Sequence, residues 1–200
     1  MENSIEYKIL KKMKQNRRGK TFFARDFAKF GNENACYKAL ERLTKRGDIM
    51  RVTRGIYAIP KKSELLGTLI PSPNEIIGNL LKRDKAKVIP TGSLAKNLLG
   101  LSTQVPLKTV YLTNGSPRKL QIGKMTVIFK RTSPRNLESK GKISTLAIQA
   151  LKTMRKDNVT DEHIDKIVTA LKNENPKYLA HDIKLAPVWI AEIMSKALPN

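Results

Sequence analysis

Residues 34–59 read NACYKALERLTKRGDIMRVTRGIYAI, and this stretch decides the expected fold. Set at about 100° per residue, Cys36, Ala39, Leu40 and Leu43 cluster on one side of a helix over Asn34–Lys45. Asn34, Lys38, Glu41 and Lys45 point the opposite way, with Tyr37 and Arg42 flanking them. Gly47 stops the helix. Two short β-prone runs follow, Ile49–Val52 and Ile56–Ile59, joined through Thr53-Arg54-Gly55 as a hairpin. Pro60 blocks extension of the second strand.

Upstream, Ile5, Ile9, Leu10 and Met13 share one helical face, lysines take the other, and Ser4 is in place to cap. Asn16-Arg17-Arg18-Gly19 ends that helix. A short second helix is expected over Thr21–Phe27, capped by Thr21, before a turn at Phe30-Gly31-Asn32. The order is helix, helix, helix, hairpin. That is the order of a winged helix-turn-helix, whose last helix reads the DNA major groove while the hairpin forms the wing.

On this reading Asn34 suits base edges, and Lys38, Arg42 and Lys45 suit base or phosphate, with Tyr37 beside them. Arg51 and Arg54, on or near the hairpin tip, lie within reach of phosphate or the minor groove. The plain alternative is a solvated surface helix that carries lysines. The order of elements and the charge favour DNA.

Charge points the same way. The chain has 200 residues and a formal net charge of +22, self-repulsion that a polyanion offsets. Residues 1–62 hold 17 Lys/Arg against 6 Asp/Glu, residues 63–142 hold 14 against 4, and residues 143–200 hold 8 against 7. The polyanion signal therefore belongs to the first two segments. One cysteine, Cys36, excludes an internal disulfide and any multi-cysteine metal site. It falls on the apolar helix face, so buried packing is its expected role. No leader-like start and no bilayer-length apolar run is present, so a cytoplasmic protein without a membrane partner is expected.

Downstream, 63–72 reads as a linker, and Pro73 opens a helix over Asn74–Arg83. A strand at Val88-Ile89, a helix over Ser93–Leu99 closed by Gly100, and strands Thr109–Thr113 and Met125–Phe129 form a small α/β segment. Amphipathic helices are expected over Ile143–Arg155, Thr160–Asn173 and Ala186–Ala197, with Trp189 in core packing. The fold class is α+β. A winged helix-turn-helix over 1–62 precedes a mixed α/β domain over 73–200 that ends in helices.

Two stretches carry a family resemblance. Leu40-Glu41-Arg42-Leu43, Arg46-Gly47-Asp48-Ile49 and Arg51-Val52-Thr53-Arg54-Gly55-Ile56-Tyr57 resemble the winged helix of AbiEi-type antitoxins. These belong to the abortive-infection, type IV toxin–antitoxin systems. Pro90-Thr91-Gly92-Ser93-Leu94-Ala95 and Leu98-Leu99-Gly100-Leu101-Ser102-Thr103-Gln104-Val105-Pro106 resemble the start of that family's C-terminal domain. The strand Thr109–Thr113 and the stretch Val127–Leu137 also fit, and the likeness is weakest after Asn173. The resemblance implies an N-terminal domain that binds inverted repeats in its own promoter and represses it. It implies a C-terminal domain that supplies antitoxicity against a nucleotidyltransferase-like toxin, without an obligatory direct complex.

Catalysis is not expected, nor is a cofactor. Nucleotidyltransferases place a Gly-Ser turn at a helix start and paired carboxylates on the next strand to hold metal. Here that strand reads Thr109-Val110-Tyr111-Leu112-Thr113, without an acid, so Thr91-Gly92-Ser93 is expected to be a structural helix cap. The acidic cluster of Asp157, Asp161, Glu162, His163 and Asp165 reads as a helix start capped by Thr160 rather than a metal site. His181 lies in a polar stretch without a nucleophile pattern. An RNA-binding regulator without a toxin partner is the alternative function. Single-strand readers display stacking aromatics, and aromatic residues are only 6% here.

Overall fold

The structure is a computed structural model that describes residues 3–15, 21–63, 67–69 and 71–198. The fold is α+β. Two compact units divide it, Met1–Arg83 with Leu120–Gly123, and Asp84–Lys119 with Lys124–Asn200.

The first unit opens with α1 (Ile5–Gln15), which buries Ile9 and Met13. Ser4 Oγ accepts the Tyr7 N–H at 3.2 Å, the expected cap. The expected helix end at Asn16–Gly19 lies outside the described residues. Thr21–Phe23 is a strand, β1, and only Ala24–Phe30 is helical, as a 3₁₀ helix. Thr21 is therefore not a cap. It is buried in β1, which pairs antiparallel with β3 (Ile56–Ala58) in the register Thr21↔Ala58 to Phe23↔Ile56. The cap belongs to Asp26, whose carboxylate accepts the Phe23 N–H at 2.9 Å.

Next comes α2 (Glu33–Lys45), capped by Asn32, whose side chain accepts the Ala35 N–H. Cys36, Ala39, Leu40 and Leu43 are buried as their spacing predicts. At its end Gly47 takes φ +78°, which lets the Gly47 and Asp48 N–H groups reach the Thr44 and Leu43 carbonyls. β2 (Met50–Thr53) returns through a two-residue turn, Arg54-Gly55, into β3. The sheet order is β1-β3-β2. Ile9, Met13, Phe22, Phe27, Leu40, Leu43, Ile49 and Tyr57 pack together beneath it.

Part of the expected linker is a strand pair. β4 (Lys61–Ser63) and β5 (Gly67–Leu69) run antiparallel, while residues 64–66 and 70 lie outside the described residues. α3 (Pro73–Asp84) starts at Pro73 as expected. Ser72 and Glu75 exchange hydrogen bonds across its first turn. Asn79 donates to Thr21 Oγ1 at 3.0 Å and the Arg83 guanidinium lies 3.9 Å from the Phe23 ring centroid. Most of α3 thus falls in the first unit.

The second unit carries β6 (Val88–Thr91), α4 (Ser93–Leu98), β7 (Lys108–Thr113) and β9 (Met125–Arg131). β6, β7 and β9 lie side by side in the order β6-β7-β9, while β8 (Arg118–Ile122) is divided, Leu120–Ile122 belonging to the first unit. β6 pairs antiparallel with β7, and β7 pairs parallel with β9. Four helices follow: α5 (Lys142–Met154), α6 (Asp161–Leu171), α7 (Pro176–Ile183) and α8 (Val188–Ser195). Ala147, Ile148, Leu151, Ile167, Leu171, Leu179, Ile190 and Met194 make their common core, with Trp189 packed on it. Thr160 caps α6 as expected, accepting the His163 N–H. α7 and β8 are additions to the elements expected from the sequence.

Candidate nucleic-acid interface

The exposed face of α2 carries the expected residues. Asn34, Tyr37, Lys38, Arg42 and Lys45 are all exposed, opposite the buried Cys36–Ala39–Leu40–Leu43 face. Arg51 on β2 and Arg54 at the hairpin turn are exposed as well. The hairpin is held against the unit at its tip, where the Gly55 carbonyl accepts the Ala24 N–H at 3.1 Å.

Tyr57 links the helix face to the hairpin. It is buried in β3 opposite Arg51, and burial pushes its phenol above the ordinary value. Arg51 pulls that value down and Tyr37 raises it, so both lie within electrostatic reach of one buried hydroxyl. Tyr37 is thus on the side of α2 nearer Tyr57 of β3.

The opposite edge is tied to α1. Glu6 accepts from the Arg42 guanidinium through one oxygen and pairs with Arg46 at 2.7 Å through the other. Arg46 also holds Asp48 at 2.9 Å. Hydrogen bonding from Arg42 draws the Glu6 carboxyl below its usual range; burial opposes this and Arg46 adds to it. Lys45 pairs with Glu41 at 2.9 Å along the helix. The five expected cations are thus of two kinds. Arg42 and Lys45 are already engaged, whereas Lys38, Arg51 and Arg54 make no ion pair among the described residues. The sequence reading missed Glu6, which lies 36 positions from Arg42 and carries no local signal of that pairing.

The other candidates read plainly. Gly92 is the N-cap of α4 at φ +63°, and its carbonyl accepts the Lys96 N–H at 3.2 Å, so Thr91-Gly92-Ser93 is the expected structural helix cap, made by backbone without a side-chain hydrogen bond. A cleft of about 450 Å³ nearby is lined by Lys87, Ile89, Pro90, Leu98, Leu137 and Leu146 among others, and not by Thr91, Gly92 or Ser93. Glu162 pairs with Lys166 at 2.7 Å, and His163 bonds Thr160. Among the described residues no group of three or more His, Cys, Asp or Glu is placed to hold a metal ion. Cys36 is buried, with Sγ 3.3 Å from the Phe27 carbonyl. Among the described residues no helix is long and apolar enough to cross a membrane.

A family model described as a family of unknown function (DUF6088) matches residues 8–179. The chain belongs to this family. No curated protein and no solved structure matches it. The DUF6088 span starts within α1 and ends within α7, so it takes in all seven expected contact residues.

Proposed function

We propose that the first unit is a winged helix that binds double-stranded DNA, with α2 in the major groove and the β2–β3 hairpin as wing. The observation that carries this reading is the pairing of an exposed α2 face with an exposed basic hairpin. Lys38, Arg51 and Arg54 lie on these two elements without an ion pair among the described residues. Asn34 meets base edges, and the lysine and arginines meet phosphate or base. Arg42 and Lys45 join them when DNA competes with Glu6 and Glu41.

On this reading the protein is a cytoplasmic repressor of its own promoter, bound at inverted repeats, and a binder rather than an enzyme. Its role as a type IV antitoxin rests on the sequence resemblance. The second unit then supplies antitoxicity toward a nucleotidyltransferase-like toxin, with or without direct contact.

The experiment is a gel shift on the protein's own promoter fragment with the Lys38→Ala, Arg51→Ala, Arg54→Ala triple variant. All three side chains are exposed, so the fold is retained. Promoter binding falls sharply, since each lost contact is worth about 1–3 kcal/mol. Co-expression with the toxin gene expected beside this one reads the second role, and survival persists in the triple variant. Failure of the wild type to bind its promoter at low salt ends the repressor reading. Tighter binding to RNA than to any duplex DNA would replace it with an RNA regulator.

A further inference from the structure

The second unit holds a pocket of about 340 Å³ between the 3₁₀ turn Pro134–Leu137, the middle of α5 and the α7–α8 connection. Its size is that of a small-molecule site, for which roughly 300–1,000 Å³ is usual. Arg135 and Lys152 supply two positive charges, Ser139 a hydroxyl, Gln149 an amide, and Leu185 and Pro187 an apolar wall. No carboxylate lines it.

Gln149 is the decisive residue. It is 6% exposed and sits in α5 between Ile148 and Ala150, both buried. Its amide makes no hydrogen bond to another described residue, while the backbone carbonyl of the same residue accepts from Thr153. Gln149 lines the pocket, so its unused donor and acceptor are available to a bound molecule.

The chemistry of that molecule follows from the lining. Arginine and lysine at one mouth match a phosphate. An amide, donor and acceptor side by side, matches a base edge. Leu185 and Pro187 match the flat face of a base. Residues 143–200 are nearly neutral, with 8 Lys/Arg against 7 Asp/Glu, so Lys152 is not part of a general basic excess. We propose that this pocket binds a nucleoside phosphate, either free or as the unpaired end of a nucleic-acid strand. The phosphate lies on Arg135 and Lys152, and the Gln149 amide reads the base. This site is separate from the α2 face and does not depend on the DNA reading.

The test is calorimetric titration of the full chain with inorganic phosphate, with AMP, GMP, CMP and UMP, and with trinucleotides bearing a 5′-phosphate or a 5′-hydroxyl. Trp189, the single tryptophan, is two positions from Pro187 and gives a second readout by fluorescence. One saturable site is expected for at least one nucleoside monophosphate, about tenfold or more tighter than for inorganic phosphate. A preference for the phosphorylated trinucleotide assigns the source to a strand end, and a preference for the mononucleotide assigns it to a free ligand. Gln149→Leu weakens binding by about tenfold or more and leaves the melting temperature unchanged or raised. Arg135→Ala with Lys152→Ala, both at exposed positions, weakens it similarly. The Lys38, Arg51, Arg54 triple variant binds the nucleotide as the wild type does. The proposal is overturned if no nucleotide saturates, if inorganic phosphate binds as tightly, or if either pocket variant binds like the wild type.

Discussion

Asp182 has no exposed surface, yet it is held in its charged form. Burial alone would push its carboxyl up. Hydrogen bonds from Ser144, His181 and the N–H groups of Lys140 and Gly141 outweigh that and hold it below the ordinary range. Asp182→Ala strips the partner from several buried donors at once, and should destabilise the protein by about 2–5 kcal/mol in urea denaturation at neutral pH. The sign of the pH dependence follows. A depressed folded value gives stability that is complete above the unfolded value, about 4, and is lost as pH falls through the lower folded value. The stability difference between wild type and Asp182→Asn should therefore shrink on acidification below about pH 4 and be constant near neutrality. An unchanged difference at low pH would mean that the charge contributes nothing. Thr109 is the opposite case, a buried hydroxyl without a hydrogen-bond partner among the described residues. Thr109→Val keeps the shape and removes the unmet group, so it should leave the melting temperature unchanged or raise it. Residues of this kind also bound what the sequence alone reveals of the site. Lys38, Arg51 and Arg54 are legible because exposure follows from local periodicity. The grip of Glu6 on Arg42 and Arg46 and that of Asp182 on Gly141 are not, because both join residues more than thirty positions apart.

Elements divide in the same way. α1, α2, α5 and α6 have long apolar stripes, which a helical period reveals without any partner. β1 has three residues, and its strand character comes from pairing with Ile56–Ala58, so Thr21–Phe23 reads locally as a helix start. β8 does alternate, with Lys119 and Gln121 exposed and Leu120 and Ile122 buried, but five residues between turns are a faint signal. α5 shows how remote residues finish an element. Its N-cap, Gly141, offers no side chain, and Glu174 accepts the Ile143 N–H at 2.7 Å while Asp182 accepts that of Gly141 at 2.9 Å. A methyl at Gly141 would collide with Ser144 Oγ and the Glu174 carboxylate. Gly141→Ala should therefore destabilise by about 1–3 kcal/mol, measured by thermal or urea unfolding. On α2, Glu41 is an exposed acid on the proposed DNA face, bridged to Lys45. Glu41→Gln releases Lys45 and removes repulsion, so affinity for nonspecific duplex should rise a few-fold in a filter or anisotropy assay. Weaker binding instead would mean that Glu41 accepts a hydrogen bond from a base.

At the scale of the whole molecule the charge is larger than one recognition surface uses. Seven candidate contacts lie on α2 and the hairpin, while the net charge is +22. Residues 63–142 contribute 14 Lys/Arg against 4 Asp/Glu, and Lys119, Lys124, Lys130 and Arg131 on β8, β9 and the turn between them are all exposed. Two uses of that second basic surface differ in what they predict. If it lies along DNA, each phosphate it neutralises releases counterions, and the slope of log K against log salt steepens by roughly 0.9 per contact. Changing the four residues to Gln then flattens the slope of promoter binding and weakens it on every sequence alike, because phosphate contacts carry no base information. If the surface serves another polyanion, the slope on DNA stays as in the wild type. The measurement is promoter affinity from low to moderate salt for wild type, the four-Gln variant and the Lys38, Arg51, Arg54 triple variant. The expected result is a flatter slope in both variants, with loss of promoter preference only in the triple variant, since α2 and its wing alone meet base edges. An unchanged slope in the four-Gln variant would confine DNA to the first unit and leave the second basic surface to RNA or to the toxin.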